Sequence, residues 1–221
     1  IVIDDYSIDN SKTIINKYKK DISNLTAIFN SSNHGTIYCQ NVGLNHASGD
    51  FILFAAADDY LLNDFFLNMY NVFLNDASLH LIAGCSRIKD LVTNKDLGIR
   101  PTVLPLYKDG YVSKETYLNL LHKSDYFILT GSCLIRHSTI MNFEGLNNIL
   151  DSFSDGYLVR LIALNNGFYF LNQTVSVWNI SNDSFSKKNQ ININRSLKLI
   201  KIIKDNMSDC FIFPSWYIKK F

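Results

Sequence analysis

The 221 residues, 47% of them apolar, suffice for one well-buried domain of ordinary size with a small appendage. A formal net charge of +1 gives no broad field for DNA or RNA, so nucleic acid is not expected as a partner. Cys39, Cys85, Cys133 and Cys210 form no CxxC pair and read as reduced core residues, and no apolar run approaches the roughly 18 residues that span a bilayer; together these point to the cytoplasm.

Residues 1–5 read as a short buried strand ending in Asp4-Asp5, and the abrupt apolar start Ile1-Val2-Ile3 is the pattern of a chain cut ahead of this strand, with an earlier strand expected upstream. Ser7, Asp9 and Ser11 offer helix-capping oxygens before a helix with Ile14, Ile15, Tyr18 and Ile22 at helical spacing. Leu25 to Phe29 is a second strand, residues 30–35 are turn chemistry, and a helix runs from Tyr38 to Ala47 with Gly49 as its stop. Phe51 to Ala56 is a continuous apolar run, the mark of a strand covered on both faces, and it ends in Asp58-Asp59. Phe65, Met69, Val72 and Phe73 line one face of another helix, and Leu79 to Ile88 is again a strand.

Beyond it, Gly98, Pro101, Pro105 and Gly110 mark a long loop over 90–111. Ser113 caps a helix to about Lys123, Tyr126 to Arg136 is strand-like, Asp155 to Asn166 is a helix ended by Gly167, and Phe168 to Trp178 is the last strand. The tail after 180 is predicted as one amphipathic helix with Ile191, Leu197, Ile200 and Ile203, then an aromatic and basic end. It packs on the domain or lies on an anionic membrane surface. Strand and helix alternate, which predicts an α/β domain over 1–180 with a mostly parallel sheet and a helical tail over 181–221. In such sheets ligands bind beyond the carboxyl ends of strands, where both acidic pairs fall.

Three acidic positions are candidates for chemistry. Asp4-Asp5 can accept from a base or ribose, bind a cation, or cap the following helix. Asp58-Asp59 after a buried strand is sharper, because adjacent carboxylates repel unless a cation or donors compensate. Mg²⁺ or Mn²⁺ prefers such oxygens and also binds phosphate; the structural alternative is a solvated turn. Asp155 opens a helix, where capping is the commoner fate and a general base the alternative. His34, His46, His80, His122 and His137 show no metal-ligand spacing. Trp178 can pack or stack on a sugar or base.

The segments Ile1-Val2-Ile3-Asp4-Asp5-Tyr6-Ser7, Asn33-His34-Gly35, Asn41-Val42-Gly43-Leu44, Asp58-Asp59-Tyr60-Leu61, Gly131-Ser132 and Ser154-Asp155-Gly156 occur in the order found in glycosyltransferase family 2, which this chain resembles over about residues 1–180. The resemblance implies a GT-A fold, an α/β/α sandwich, and transfer from a nucleotide-sugar, UDP-sugar favoured, with inversion at the anomeric carbon. It implies a glycan or lipid-linked acceptor in cell-surface polysaccharide biosynthesis, and Mn²⁺ or Mg²⁺ as cofactor. Carried over by position, Asp5 faces the nucleobase with Asp4 supporting that loop, and Ser7, Asn41 and Asp58 complete the nucleotide contacts. Asp58 and Asp59 meet the metal, and Asp155 is the base. Three departures stand out: Ala56 where the metal motif opens on Asp, Tyr6 where Gly is usual, and Gln40 where a basic residue is common. Competing readings are a receiver domain, which is half this length and needs a Lys-Pro absent here, a sugar nucleotidyltransferase, which needs a Gly-rich basic loop, and an inactive nucleotide-binding scaffold.

Overall fold

The structure is a computed structural model and describes residues 1–124, 128–181 and 193–221. Tyr126, at the start of one predicted strand, and Ile191, in the predicted tail helix, lie outside the described residues.

The core is built on two long strands, β5 (Leu81–Asp90) and β9 (Phe168–Ile180), which pair in parallel. β8 (Cys133–Arg136) lies antiparallel on β5, and β3 (Phe51–Ile52) antiparallel on β8. β4 (Tyr60–Leu61), β6 (Asp96–Arg100) and β7 (Gly110–Val112) complete a seven-stranded sheet. β1 (Val2–Asp4) and β2 (Ala27–Phe29) form a separate parallel pair. The alternation predicted mostly parallel pairing; β1–β2 and β5–β9 are parallel, and the sheet as a whole is mixed. The antiparallel members are short strands, and β6 returns along β5 after a turn at 91–95, a connection that parallel pairing does not allow. Asp90 Oδ1 secures that turn by accepting from the backbone N–H groups of Val92 and Thr93.

Both faces of the sheet are covered, which is why the central strands read as apolar runs. Leu81, Ala83, Cys85, Cys133, Ile135, Phe168 and Phe170 point to one side, Ile82, Leu134, Leu171 and Val175 to the other. The second side is closed by Phe65, Met69 and Phe73 of α3 (Phe65–Asn75). The first is closed by α4 (Lys114–Lys123), α6 (Ser154–Asn166), α7 (Ile193–Asp209) and α8 (Ser215–Lys220). Nine residues of α6 are buried, so it is a core helix; Gly167 ends it at φ 67°. Ile203 and Met207 of α7, Phe213, and Tyr217 of α8 are buried in the same core. Among the described residues no helix is long and apolar enough to cross a membrane.

Local differences from the sequence reading have local causes. α1 (Ser11–Asp21) forms as predicted, but its stripe is uncovered: Ile14, Tyr18 and Ile22 are exposed. The apolar run 51–56 keeps only two residues in a strand before the chain turns toward the acidic pair. In 90–111, β6 was hidden by Gly98 and by its exposure on an edge, where no buried face imposes alternation. Of the strand predicted over 126–136, the described residues show β8 at Cys133–Arg136, preceded by a 3-10 turn at Thr130–Ser132. All four cysteines are free, with Cys85 and Cys133 buried.

Candidate active site

Where β5 and β9 run together, each carries one serine, and the parallel register sets the two side by side. Ser86 Oγ and Ser176 Oγ are 2.5 Å apart and buried. Above them opens a cavity of about 550 Å³. One part of its wall is the 54–61 segment with Ala56, Asp58 and Asp59. Others are Thr36, Ile37 and Gln40 from the start of α2 (Thr36–His46), and Thr130, Gly131, Ser152 and Asp155 from the later half. Trp178 and Asn179 of β9 close it. Three of the predicted carboxylates, Asp58, Asp59 and Asp155, therefore share one space although nearly 100 residues separate the first from the last.

The two adjacent carboxylates are not equivalent. Asp58 is exposed to the cavity. Asp59 is half-buried, and its Oδ1 accepts the Asn179 backbone N–H at 2.8 Å. Asn179 also donates from Nδ2 to the Asp58 carbonyl at 2.5 Å, so one residue of β9 fastens the acidic turn twice. Burial pushes the Asp59 carboxyl up to about 6; the Asn179 hydrogen bond opposes this and the neighbouring Asp58 charge adds to it. Asp155, in the first turn of α6, accepts from the Gly156 N–H at 2.6 Å.

Asp4, Asp5, Ser7 and Asn41 are not among the residues lining the cavity. Asp4 is buried at the end of β1 and accepts from the Ser7 backbone N–H at 3.3 Å. Asp5 Oδ1 accepts from Asn30 Nδ2 (2.8 Å) and the His34 N–H (2.9 Å), and Oδ2 from the Gly35 N–H (2.7 Å). It thereby shapes the loop that delivers α2 to the cavity wall. Burial raises its pKa, but the donors from Asn30, His34, Gly35 and Cys39 outweigh burial and hold it below the usual carboxylate value. Tyr6, standing where the resembled family has Gly, adopts a left-handed φ of 68°, a conformation that glycine takes without strain. Asn41 donates from Nδ2 to the Leu146 carbonyl (2.7 Å) and accepts the Leu146 N–H at Oδ1 (2.9 Å); both ends of its amide are engaged between α2 and the 143–147 loop.

Sequence reasoning missed Asn179, Ser86 and Ser176. Other polar residues in the same strands (Arg87 beside Ser86; Asn172, Gln173 and Thr174 ahead of Ser176) mask them in the sequence, and only their burial singles them out, because a buried hydroxyl or amide needs a specific partner.

Comparison with known proteins places this arrangement. A profile described as glycosyl transferase family 2 matches residues 1–143, more than half of the chain. The GalNAc(5)-diNAcBac-PP-undecaprenol beta-1,3-glucosyltransferase of Campylobacter jejuni is 26% identical over 138 residues, 62% of this chain and 43% of that protein. The crystal structure of S. aureus TarS 1–349 in complex with UDP-GlcNAc superposes with a TM-score of 0.70 at 17% identity, covering 93% of this chain and 56% of that one. The mannosyltransferase PcManGT of Pyrobaculum calidifontis, in complex with GDP-Man and Mn²⁺, gives a TM-score of 0.58 at 13% identity, covering 91% and 53%. The chain spans less than half the length of the curated relatives it matches. The structural likenesses establish the GT-A fold, and with the profile match over 1–143 the chain belongs to glycosyl transferase family 2.

Proposed function

We propose that this chain is the catalytic part of an inverting glycosyltransferase that moves a sugar from a nucleoside-diphosphate-sugar, UDP-sugar favoured, to a glycan or lipid-linked acceptor in cell-surface polysaccharide biosynthesis. The observation that carries the reading is the common cavity of Asp58, Asp59 and Asp155. The donors in the TarS and PcManGT complexes, UDP-GlcNAc and GDP-Man, and the undecaprenol-linked substrate in the Campylobacter enzyme's name support the substrate classes.

In this reading the loop held by Asp4 and Asp5 carries the nucleobase, with Ser7 at its edge, and Asn41 keeps α2 in place beside it. The diphosphate lies against Asp58. The residues fit a hard cation in part: Asp59 is a half-buried carboxylate disfavoured in its charged form, a state that a cation relieves. Among the described residues no cluster of three or more His, Cys, Asp or Glu side chains could hold a metal alone. Asp58 and Asp59 would therefore hold Mn²⁺ or Mg²⁺ together with donor oxygens, and the ion would neutralise charge on the leaving diphosphate. Asp155 takes the proton from the acceptor hydroxyl as its oxygen attacks the anomeric carbon. The bond from that carbon to the diphosphate oxygen breaks, its electron pair leaves with the nucleotide, and the configuration inverts.

The outward face of the tail supports contact with an anionic membrane surface: Phe211 is wholly exposed, and Leu197 and Ile200 lie beside Lys198 and Lys201. The test of the main reading is a donor screen monitoring nucleoside diphosphate release with and without Mn²⁺, followed by the stereochemistry of the product. Asp58→Ala should abolish release; a chain that binds UDP but releases none from any donor is a scaffold instead.

A further inference from the structure

The segment that brings Ser152 and Asp155 to the cavity has little regular structure of its own. A 3-10 turn at Asn148–Phe153, with Asp151 at φ 48° and ψ −131°, runs straight into α6. A backbone of this kind persists only where its surroundings hold it. The C-terminal helices supply the hold. Arg195 of α7 pairs with Asp151 at 2.7 Å. Asn206 of α7 accepts from Asn147 Nδ2 at 3.0 Å, and its carbonyl accepts from Tyr157 Oη at 3.3 Å. Phe221 meets Phe153 edge to face at 4.9 Å, and Phe213 lies 5.1 Å from Tyr157.

Arg160 sits at the centre of these contacts and is only 7% exposed. Its Nε donates to Tyr217 Oη of α8 at 3.1 Å, its Nη1 donates to the Gly156 carbonyl at 2.8 Å, and its guanidinium lies 5.1 Å over the Phe153 ring. Gly156 in turn donates its N–H to Asp155. A Cβ at position 156 would lie 2.9 Å from Arg160 Nη1, so the seat of the guanidinium calls for the glycine beside Asp155. The planar fork reaches the tail with one nitrogen and the base-bearing turn with another, a geometry that an ammonium cannot copy.

We propose that Arg160 is a positioning residue for sugar transfer, through which the C-terminal helix α8 fixes the placement of the Asp155 carboxylate in the cavity. This rests on the reading of Asp155 as the general base. The donor side of the cavity, built on Asp58, Asp59 and Asn179, stands on other elements, so loss of Arg160 or its anchor falls on turnover and spares donor binding.

The test uses the full chain with Tyr217→Phe, which keeps the ring and removes the anchoring oxygen, and Arg160→Lys, which keeps the charge. Gly156→Ala displaces the same guanidinium from the other side. Each is compared with Asp155→Asn. Hydrogen exchange is followed at 147–156 and at the 57–61 turn. UDP release from a UDP-sugar donor gives kcat and KM, and calorimetry with UDP and Mn²⁺ gives the nucleotide affinity. All three variants should speed exchange over 147–156 alone and lower kcat about tenfold, with donor KM and UDP affinity unchanged. Wild-type exchange and kcat in Tyr217→Phe and Arg160→Lys, with Asp155→Asn inactive, would overturn the proposal while leaving the base assignment standing. Faster exchange throughout the chain, with kcat/KM and UDP affinity lowered together, would make Arg160 merely a core residue and overturn it too. Full turnover by Asp155→Asn would instead remove the base assignment itself, whatever the exchange shows.

Discussion

Replacing Asp59 by Asn should make the metal-free protein more stable at alkaline pH and leave it unchanged in acid. The Asp59 carboxyl is raised from 3.8 to about 6 in the fold. Two units correspond to about 3 kcal/mol at most, at roughly 1.4 kcal/mol per unit. Asp59 is only half-buried, so solvent screening reduces this to about 1 kcal/mol. The sign follows from linkage: a carboxyl whose pKa is higher folded than unfolded favours the fold below about 4, and that advantage is lost as pH rises through about 6. Asn keeps an oxygen to accept the Asn179 N–H, so the tie to β9 survives the exchange. Urea unfolding with EDTA at pH 4, 6 and 8 should show the variant ahead by about 1 kcal/mol at pH 8 and level at pH 4. A variant that is less stable at pH 8, or ahead by the same margin at every pH, would refute the reasoning. The same change should weaken UDP binding in the presence of Mn²⁺, the opposition of stability and function expected of a carboxylate retained for its site.

Asn41→Ala removes both hydrogen bonds to Leu146 and leaves a backbone donor and acceptor without partners; a loss of about 2–3 kcal/mol is expected in urea unfolding. Gly167→Ala should cost more than about 2 kcal/mol in the same assay, since φ is 67° and the new Cβ would lie 2.5 Å from the Val112 carbonyl oxygen. Phe211→Ser combined with Leu197→Ser should leave the melting temperature within a few degrees, because both side chains are exposed, and abolish co-sedimentation with phosphatidylglycerol vesicles. Unchanged co-sedimentation would remove the membrane contact from the functional reading.

Most of the elements that could be read from the sequence are those whose periodicity is enforced by burial, with α1, legible from an apolar stripe that stays exposed, as the exception. α3, α4 and α6 and the strands β5 and β9 bury one stripe or both faces, and their ends coincide with Ser113 and Gly167, which cap for chemical reasons. β4 and β6 were not legible because short strands at a sheet edge carry no pattern. The acidic pair was visible as a motif, but its division of labour was not. That division depends on Asn179, some 120 residues later, whose backbone N–H binds the Asp59 carboxylate while its side chain binds the backbone carbonyl of Asp58 and leaves the Asp58 carboxylate to the cavity. Asn41 shows the converse: its place in a familiar motif suggested ligand contact, while its amide is occupied by the Leu146 backbone. The tail's amphipathic pattern was plain, yet which neighbours its buried face meets depends on tertiary contacts such as Tyr217 with Arg160.

The paired bonds between Asn41 and Leu146 have a mechanical consequence. α2 forms one lip of the cavity through Thr36 and Gln40, and Leu146 lies just ahead of the turn that forms another lip through Ser152. Gly145, at φ 78°, lets the loop come this close, since a Cβ there would lie 2.9 Å from Asn41 Oδ1. The two lips are thus latched to each other at their base. Spreading the lips would break both bonds and leave the Leu146 backbone donor and acceptor without partners, so the pair resists opening at the base of the cavity.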